Sequence, residues 1–360
     1  MKGRRFFPLD HKLHLRADHW SEGAARVATR QGLHAKSFAL AAEAYTEAVG
    51  SEISADSLRR VTEGWGAQVE VQRTAEAERA NTVAQRGESP QTQRVAEIAP
   101  ISGQANVSTD GTMILVRHEA WKEVKLTAIS AVTVKPAGER GVNQVRPSRR
   151  DADPRVTLSQ HSYQAGLWDA DTMARHQYAE GLHRGLEHSE RLSSVNDAAE
   201  WIARITQLNF SRAVQIVDWT HASEHVWGVG KALFGEGTPE TQTWVNTQLD
   251  ALWTGAVASV ITTLDTLAVS SESGKEALRQ AAGYFRNQES RMHYADYRAA
   301  GYPIGSGTVE SAANTVVHHR MRRPGCGWKR DYAQAMLAGL SELHSGRFDR
   351  AWQKTLPGVV

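Results

Sequence analysis

Three β-type stretches between residues 105 and 218 each carry an aspartate: VSTDGTMILV with Asp110, RLSSVND ending on Asp197, and AVQIV running into Asp218. Val, Ile and Thr in near alternation mark them as strands. After the second, the period changes to that of a helix, AAEWIARITQLNF. Strands alternating with helices imply an α/β fold. Taken alone, Asp110-Gly111 reads as a hairpin turn, because Asp-Gly is the strongest short hairpin signal. Isolated carboxylates at strand ends usually cap the next element. Several that converge repel one another, and they stay ionised together only when a cation neutralises them.

A fourth acid lies in GYPIGSGTVESAANTVVHHRMRRPGCGW, residues 301 to 328. Pro, Gly and Ser open it with turn chemistry. Ser306 is then the expected N-cap of a helix reaching about Arg322. Glu310 falls in its first turn, where the helix dipole favours a carboxylate. At α-helical spacing Ala313, Asn314, Val317 and Met321 share its face, so the acid would sit above a small, apolar side. A basic run follows: Arg320, Arg322, Arg323, Lys329 and Arg330.

The chain has 360 residues, enough for about two domains. No apolar run approaches the roughly 20 residues needed to span a bilayer, and the basic start lacks the apolar core of a signal peptide. A cytoplasmic, nucleoid-associated protein without a membrane partner is expected. Cys326 is the single cysteine, which excludes a disulfide framework and a cysteine-built zinc site. The net charge is only +2, so binding to nucleic acid would rest on local patches.

In chain order, residues 1–99 read as a helical region and linker. Ser37 to Gly66 has the outline of two helices around a Gly50–Ser54 turn: a helix-turn-helix with Arg59 and Arg60 available for DNA, or a plain helical hairpin. Val69 to Gln93 is polar enough to be a solvated helix followed by a linker at Gly87–Pro90. Residues 100–226 hold the strands, interrupted by a basic loop carrying Arg140, Arg146, Arg149, Arg150 and Arg155. A third strand, Arg155 to Gln160, and a helix from about Asp169 to Gly185 follow. Residues 227–300 form a mostly helical insertion, and residues 301–360 hold the Glu310 helix and a basic C-terminal region with one more helix.

His221-Ala-Ser-Glu224-His225 matches H-x-x-E-H, an inverted zinc-peptidase pattern whose two histidines would share a helix face. A peptidase leaves Asp110, Asp197 and the GSGTVE stretch without a role.

Taken in order, STDGTMILV and WKEVK, NDAAEWI, VQIVDWTHASEHVW and PIGSGTVESA with its basic GCGW sequel resemble an ISKra-type insertion-sequence transposase across residues 1 to 350. The resemblance implies a DDE transposase with an RNase H-like mixed sheet and a helical insertion before the final catalytic helix. Asp110, Asp197 and Glu310 would be the catalytic acids and ligands of Mg²⁺ or Mn²⁺, two ions together. Asp218 and His221 would form the supporting D-x-x-H motif, with Asp218 as the competing second acid. DNA would be both partner and substrate, as element terminal repeats and as target, held by a homo-oligomer through Arg59, Arg60, Arg320, Arg322, Arg323, Lys329 and Arg330. Trp219 and Trp328 would stack on bases or pack in the core. The chain departs from the family in lacking an upstream Cys-rich segment and in having Ala198 where Asp-Gly-Ala is usual. A truncated, non-cutting DNA-binding copy is the alternative.

Overall fold

The computed structural model describes residues 20–86, 100–136 and 153–355. It is an α/β structure. The chain enters with three helices, α1 (Glu22–His34), α2 (Phe38–Val49) and α3 (Ala55–Gln85), each begun by a serine whose side chain accepts a backbone N–H of the first turn. Gly50 closes α2 at φ 71°, a left-handed position that glycine reaches without steric cost. The helical pair expected around that turn is therefore present. The 31-residue α3 is not simply a solvated helix, because Leu58, Val61, Trp65, Val69, Arg73, Ala77 and Ala80 make a buried stripe along it.

A five-stranded mixed sheet follows, in the order β3-β2-β1-β4-β5. β1 (Gln104–Val116), β2 (Ala120–Lys135) and β3 (Arg155–Gly166) form an antiparallel meander. β4 (Arg191–Asn196) pairs parallel with β1, and β5 (Val214–Val217) pairs parallel with β4. Helices α4 (Ala170–His183) and α5 (Glu200–Asn209) link β3 to β4 and β4 to β5. Asp110-Gly111 is not a turn: both residues pair across the ladder, with Leu126 and Lys125. The chain reverses at residues 117–119 instead, where His118 and Ala120 take φ 66° and 62°. Thr112, Ile114 and Val116 are buried on one face of β1, and burying that alternating set requires the strand to continue past the glycine. The third strand also runs further than expected, to Gly166.

Five helices lie between β5 and the Glu310 segment: α6 (Trp219–Phe234), α7 (Pro239–Trp253), α8 (Val257–Thr266), α9 (Glu272–Gln288) and α10 (Tyr294–Ala299). They build their own apolar cluster, which reaches the sheet through Val195, Ile216 and Val217. Helix α11 begins as Gly307–Ala312, winds with π-helical bonds through Ala313–His318, and ends at His319–Met321. Helices α12 (Arg330–His344) and α13 (Phe348–Lys354) complete the fold.

The N-terminal helices share one core with the rest. Leu33, Tyr45, Leu58 and Trp65 pack in a cluster with Ile114 and Val116 of β1, Val316 and Val317 of α11, and Met336, Leu340 and Trp352 near the C-terminus. A boundary near residue 99 thus divides the sequence but not the core. The Gly87–Pro90 linker and Arg140, Arg146, Arg149 and Arg150 lie outside the described residues. Among the described residues no helix is long and apolar enough to cross a membrane.

Candidate functional site

The ladder registers bring the three aspartates into one row. Val107 pairs with Ser194 and Asn196 with Val217. Continued past the last pair, the same registers set Asp110 level with Asp197 and Asp197 level with Asp218. Neighbouring strands lie about 4.8 Å apart, so the row crosses the middle of β1 and the carboxyl ends of β4 and β5, and carboxyl strand ends are the usual place for ligands in open α/β sheets. Asn196 closes the gap where pairing ends, its Oδ1 accepting the Thr109 N–H at 2.6 Å.

The row divides by environment. Asp110 is half-buried, and its Oδ1 accepts the Gly111 N–H at 2.7 Å. Burial pushes its carboxyl up to about 6, aided by the charges of Asp197 and Glu310 and opposed by the Gly111 N–H and His221. Asp197 is also half-buried, and its Oδ1 accepts the Ala199 N–H at 3.0 Å, which shapes the turn into α5. Ala198 is not among the residues with positive φ, so alanine in place of glycine leaves this turn unstrained.

Asp218 is fully buried. Its Oδ1 accepts the His221 N–H at 2.9 Å as the N-cap of α6, and its Oδ2 accepts the Ser306 N–H. The adjoining Trp219 N–H donates to Ile304 O at 2.8 Å. Asp218 thus ties the start of α6, through Oδ1, to the backbone that launches α11, through Oδ2. Ser306 takes the N-cap position of α11 as expected, but its side chain accepts no first-turn N–H; its hydroxyl donates to Glu310 Oε1 at 3.2 Å.

Glu310 is exposed, and its side of α11 is not apolar. Asn314 is exposed and His318 half-buried, while Ala313, Val316, Val317 and Met321 face the core. A straight α-helix brings Val317 beneath Glu310 after two turns. The π turn absorbs one more residue and brings His318 there instead. The expected apolar side is a polar one, Glu310, Asn314 and His318.

Asp110, Asp197 and Glu310 are hard oxygen donors of the type that Mg²⁺ or Mn²⁺ takes, and the upward shift of Asp110, caused first by burial, also contains a repulsion from the other two acids. In chemical type the residues fit such an ion. As the side chains stand, no three His, Cys, Asp or Glu groups among the described residues converge into a coordination shell. The H-x-x-E-H residues share that result: His225 stacks on Tyr284 with ring centroids 3.6 Å apart, and His221 Nδ1 lies 3.4 Å from Glu224 Oε2.

The basic residues separate as well. Arg320 is a correction: it is 3% exposed, its Nε donates to Gly32 O at 3.0 Å, and its guanidinium lies over the Phe38 and Trp328 rings. Burial lowers its pKa to about 10, and a group so enclosed has no face for a phosphate. Arg322, Arg323, Lys329 and Arg330 are exposed. Arg323 Nη1 donates to Lys36 O at 2.7 Å, and Arg330 holds Glu119 with a two-pronged contact. Arg59 and Arg60 pair with Asp56, and Arg59 also with Glu63.

Trp328 is buried, its Nε1 donating to Met321 O at 3.0 Å; Trp219 packs edge-on against Trp253 and Tyr294. Both tryptophans therefore serve the core. Exposed aromatics beside the basic residues are Trp121, 51% exposed beneath Arg322, and Tyr332, near Arg59 and Lys329. Neither stood out in the sequence, because a lone aromatic beside a hairpin or on a helix has no local signature.

Searches against protein-family models and against curated protein sequences find no match to this chain.

Proposed function

We propose that this chain is a DDE-type DNA transposase. The observation that carries the reading is the row of acids: Asp110 inside β1 and Asp197 just past the end of β4, level when the parallel register is continued, with the charges of Asp197 and Glu310 both raising the pKa of Asp110. Two further features support it. The sheet order, an antiparallel meander followed by two parallel strands, is the one an RNase H-like plan would require. The helices from α6 to α10 stand where such an enzyme carries an insertion before its last acid.

Asp110, Asp197 and Glu310 would hold the divalent ions. When bound, these supply the charge that activates a water or 3′-hydroxyl and stabilises the departing oxygen in phosphodiester displacement. Asp218 is assigned to support: with both oxygens on backbone N–H groups, it holds the turn before Glu310. Arg322, Arg323, Lys329 and Arg330 would contact DNA phosphates, with Trp121 and Tyr332 offering faces for bases. Arg59 and Arg60 would add to this surface from α3.

The test is cleavage of DNA carrying the flanking ends of the element by the purified 360-residue chain. Nicking is expected with Mn²⁺, and none with EDTA or in Asp197→Asn. An Asp197→Asn protein that nicks as well as the unaltered chain overturns the acid assignment. A folded chain that binds those ends but never nicks them is a DNA-binding copy without transposase chemistry.

A further inference from the structure

Helix α11 meets the sheet through a polar bridge on the strand that carries Asp110. His318 Nε2 lies 2.5 Å from Thr112 Oγ1, and His318 Nδ1 lies 3.0 Å from Asn314 Oδ1. The oxygen of Asn314 can only accept, so Nδ1 carries the imidazole proton and Nε2 accepts the hydroxyl proton of Thr112. Burial, with the charge of Arg322, lowers the His318 pKa and favours this neutral form.

Each end of the bridge lies on an element that carries a candidate metal ligand. Thr112 follows Asp110 by two residues on β1 and so projects from the same face of the sheet, about 7 Å further along. It is buried, with 9% of its surface exposed. His318 stands beneath Glu310 on α11, and only the π-helical turn puts it there. With ordinary α-helical winding Val317 would take that place, and an apolar side chain would face the Thr112 hydroxyl. A π turn costs hydrogen-bond geometry and tends to persist where it serves a site. Here it aligns an imidazole with the strand that carries the first acid.

We propose that His318 is a positioning residue: through Thr112 it sets the distance between the Asp110 strand and the Glu310 helix. This rests on the reading of Asp110, Asp197 and Glu310 as metal ligands. Two carboxylates on separate elements share an ion only when those elements are held in register. The apolar contacts of Val316 and Val317 hold α11 on the core, but they allow sliding that a directional hydrogen bond does not. Asn314 in turn fixes the imidazole ring, so on the Glu310 side of α11 Asn314 braces His318, which anchors the helix to the sheet.

The test measures Mn²⁺ affinity of the full chain without DNA, by electron paramagnetic resonance of free Mn²⁺, alongside a thermal melt. His318→Ala and Thr112→Val should each weaken Mn²⁺ binding by about 10- to 100-fold. Thr112→Ser, which keeps the hydroxyl, should bind like the unaltered chain. The double variant should bind no worse than the weaker single one, because both remove the same bridge. If Thr112→Val and His318→Ala bind Mn²⁺ normally while Asp110→Asn does not, the positioning role is wrong and the acid site stands. If the unaltered chain and Asp110→Asn bind Mn²⁺ alike, the metal reading fails and takes the positioning role with it. Should His318→Ala unfold, the comparison of Thr112→Val with Thr112→Ser decides, since these two keep the histidine and differ in the hydroxyl. A lower melting temperature with unchanged Mn²⁺ affinity counts against the proposal.

Discussion

Asp218 is enclosed, with one oxygen on the His221 N–H and the other on the Ser306 N–H. Asp218→Asn keeps one acceptor and turns an amide donor toward a donor, so it is expected to cost about 2–3 kcal/mol, read as a lower midpoint in urea unfolding. Asp197→Asn, at a half-buried turn, should leave that midpoint nearly unchanged. Asp110 makes a different prediction. Its folded pKa, about 6, lies above its ordinary 3.8, so the native state keeps the proton longer than the unfolded chain does. Stability should therefore fall as pH rises between these two values, and thermal melts of Asp110→Asn should lack that slope. Mn²⁺ affinity should rise across the same interval, because the ion needs the carboxylate. Asp197, Asp218 and Glu310 were legible because strand ends and helix starts leave marks in sequence, whereas Asp110, inside β1, was singled out by the family resemblance. The burial of Arg320 was not: a guanidinium within a basic run resembles a solvated one until Gly32, Phe38 and Trp328 are folded around it.

Among the helices, α3 and α12 pack tightly where Gly66 meets Ala335. A Cβ placed on Gly66 would lie 2.2 Å from Ala335 O, a backbone atom that cannot swing aside. Gly66→Ala is expected to destabilise the protein by about 1–3 kcal/mol through overpacking, again visible in the urea midpoint. The outline of α3 was legible from its stripe, but its second half looked solvated because Arg73 is charged. In the fold Arg73 Nη1 reaches Gln164 Oε1 at 3.2 Å, Nη2 reaches Ala165 O at 3.0 Å, and the guanidinium lies over Trp168. Local polarity could not reveal partners supplied by β3. The misplaced hairpin has a related cause: Asp-Gly is a local turn signal, and the buried face of Thr112, Ile114 and Val116 outweighed it. The π turn in α11 had no sequence mark.

Across the whole molecule, an ionic network joins parts far apart in the chain. Arg347 Nη1 contacts Glu180 Oε1 at 2.7 Å, Arg347 Nη2 contacts Glu342 Oε1 at 3.0 Å, and His183 Nε2 contacts Glu76 Oε1 at 2.8 Å. Glu180 is fully buried; against the upward push of burial, Arg347 and His183 hold its carboxyl well below the usual range. Arg347→Met would leave that charge without its strongest partner. The expected loss is about 3–5 kcal/mol, seen in calorimetry as a drop of the whole melting transition, since the network spans α3, α4 and α12. The strands with their aspartates, the helices with their serine caps and the basic run beside Glu310 were written in residue order, because turn chemistry, periodicity and capping act between near neighbours. Tertiary structure alone set Asp110, Asp197 and Asp218 in one row and buried both oxygens of Asp218. It alone took Arg320 out of the solvent and swung His318 against Thr112. Each of these depends on which surfaces meet when distant segments pack, and no short window of sequence holds both sides of such a contact.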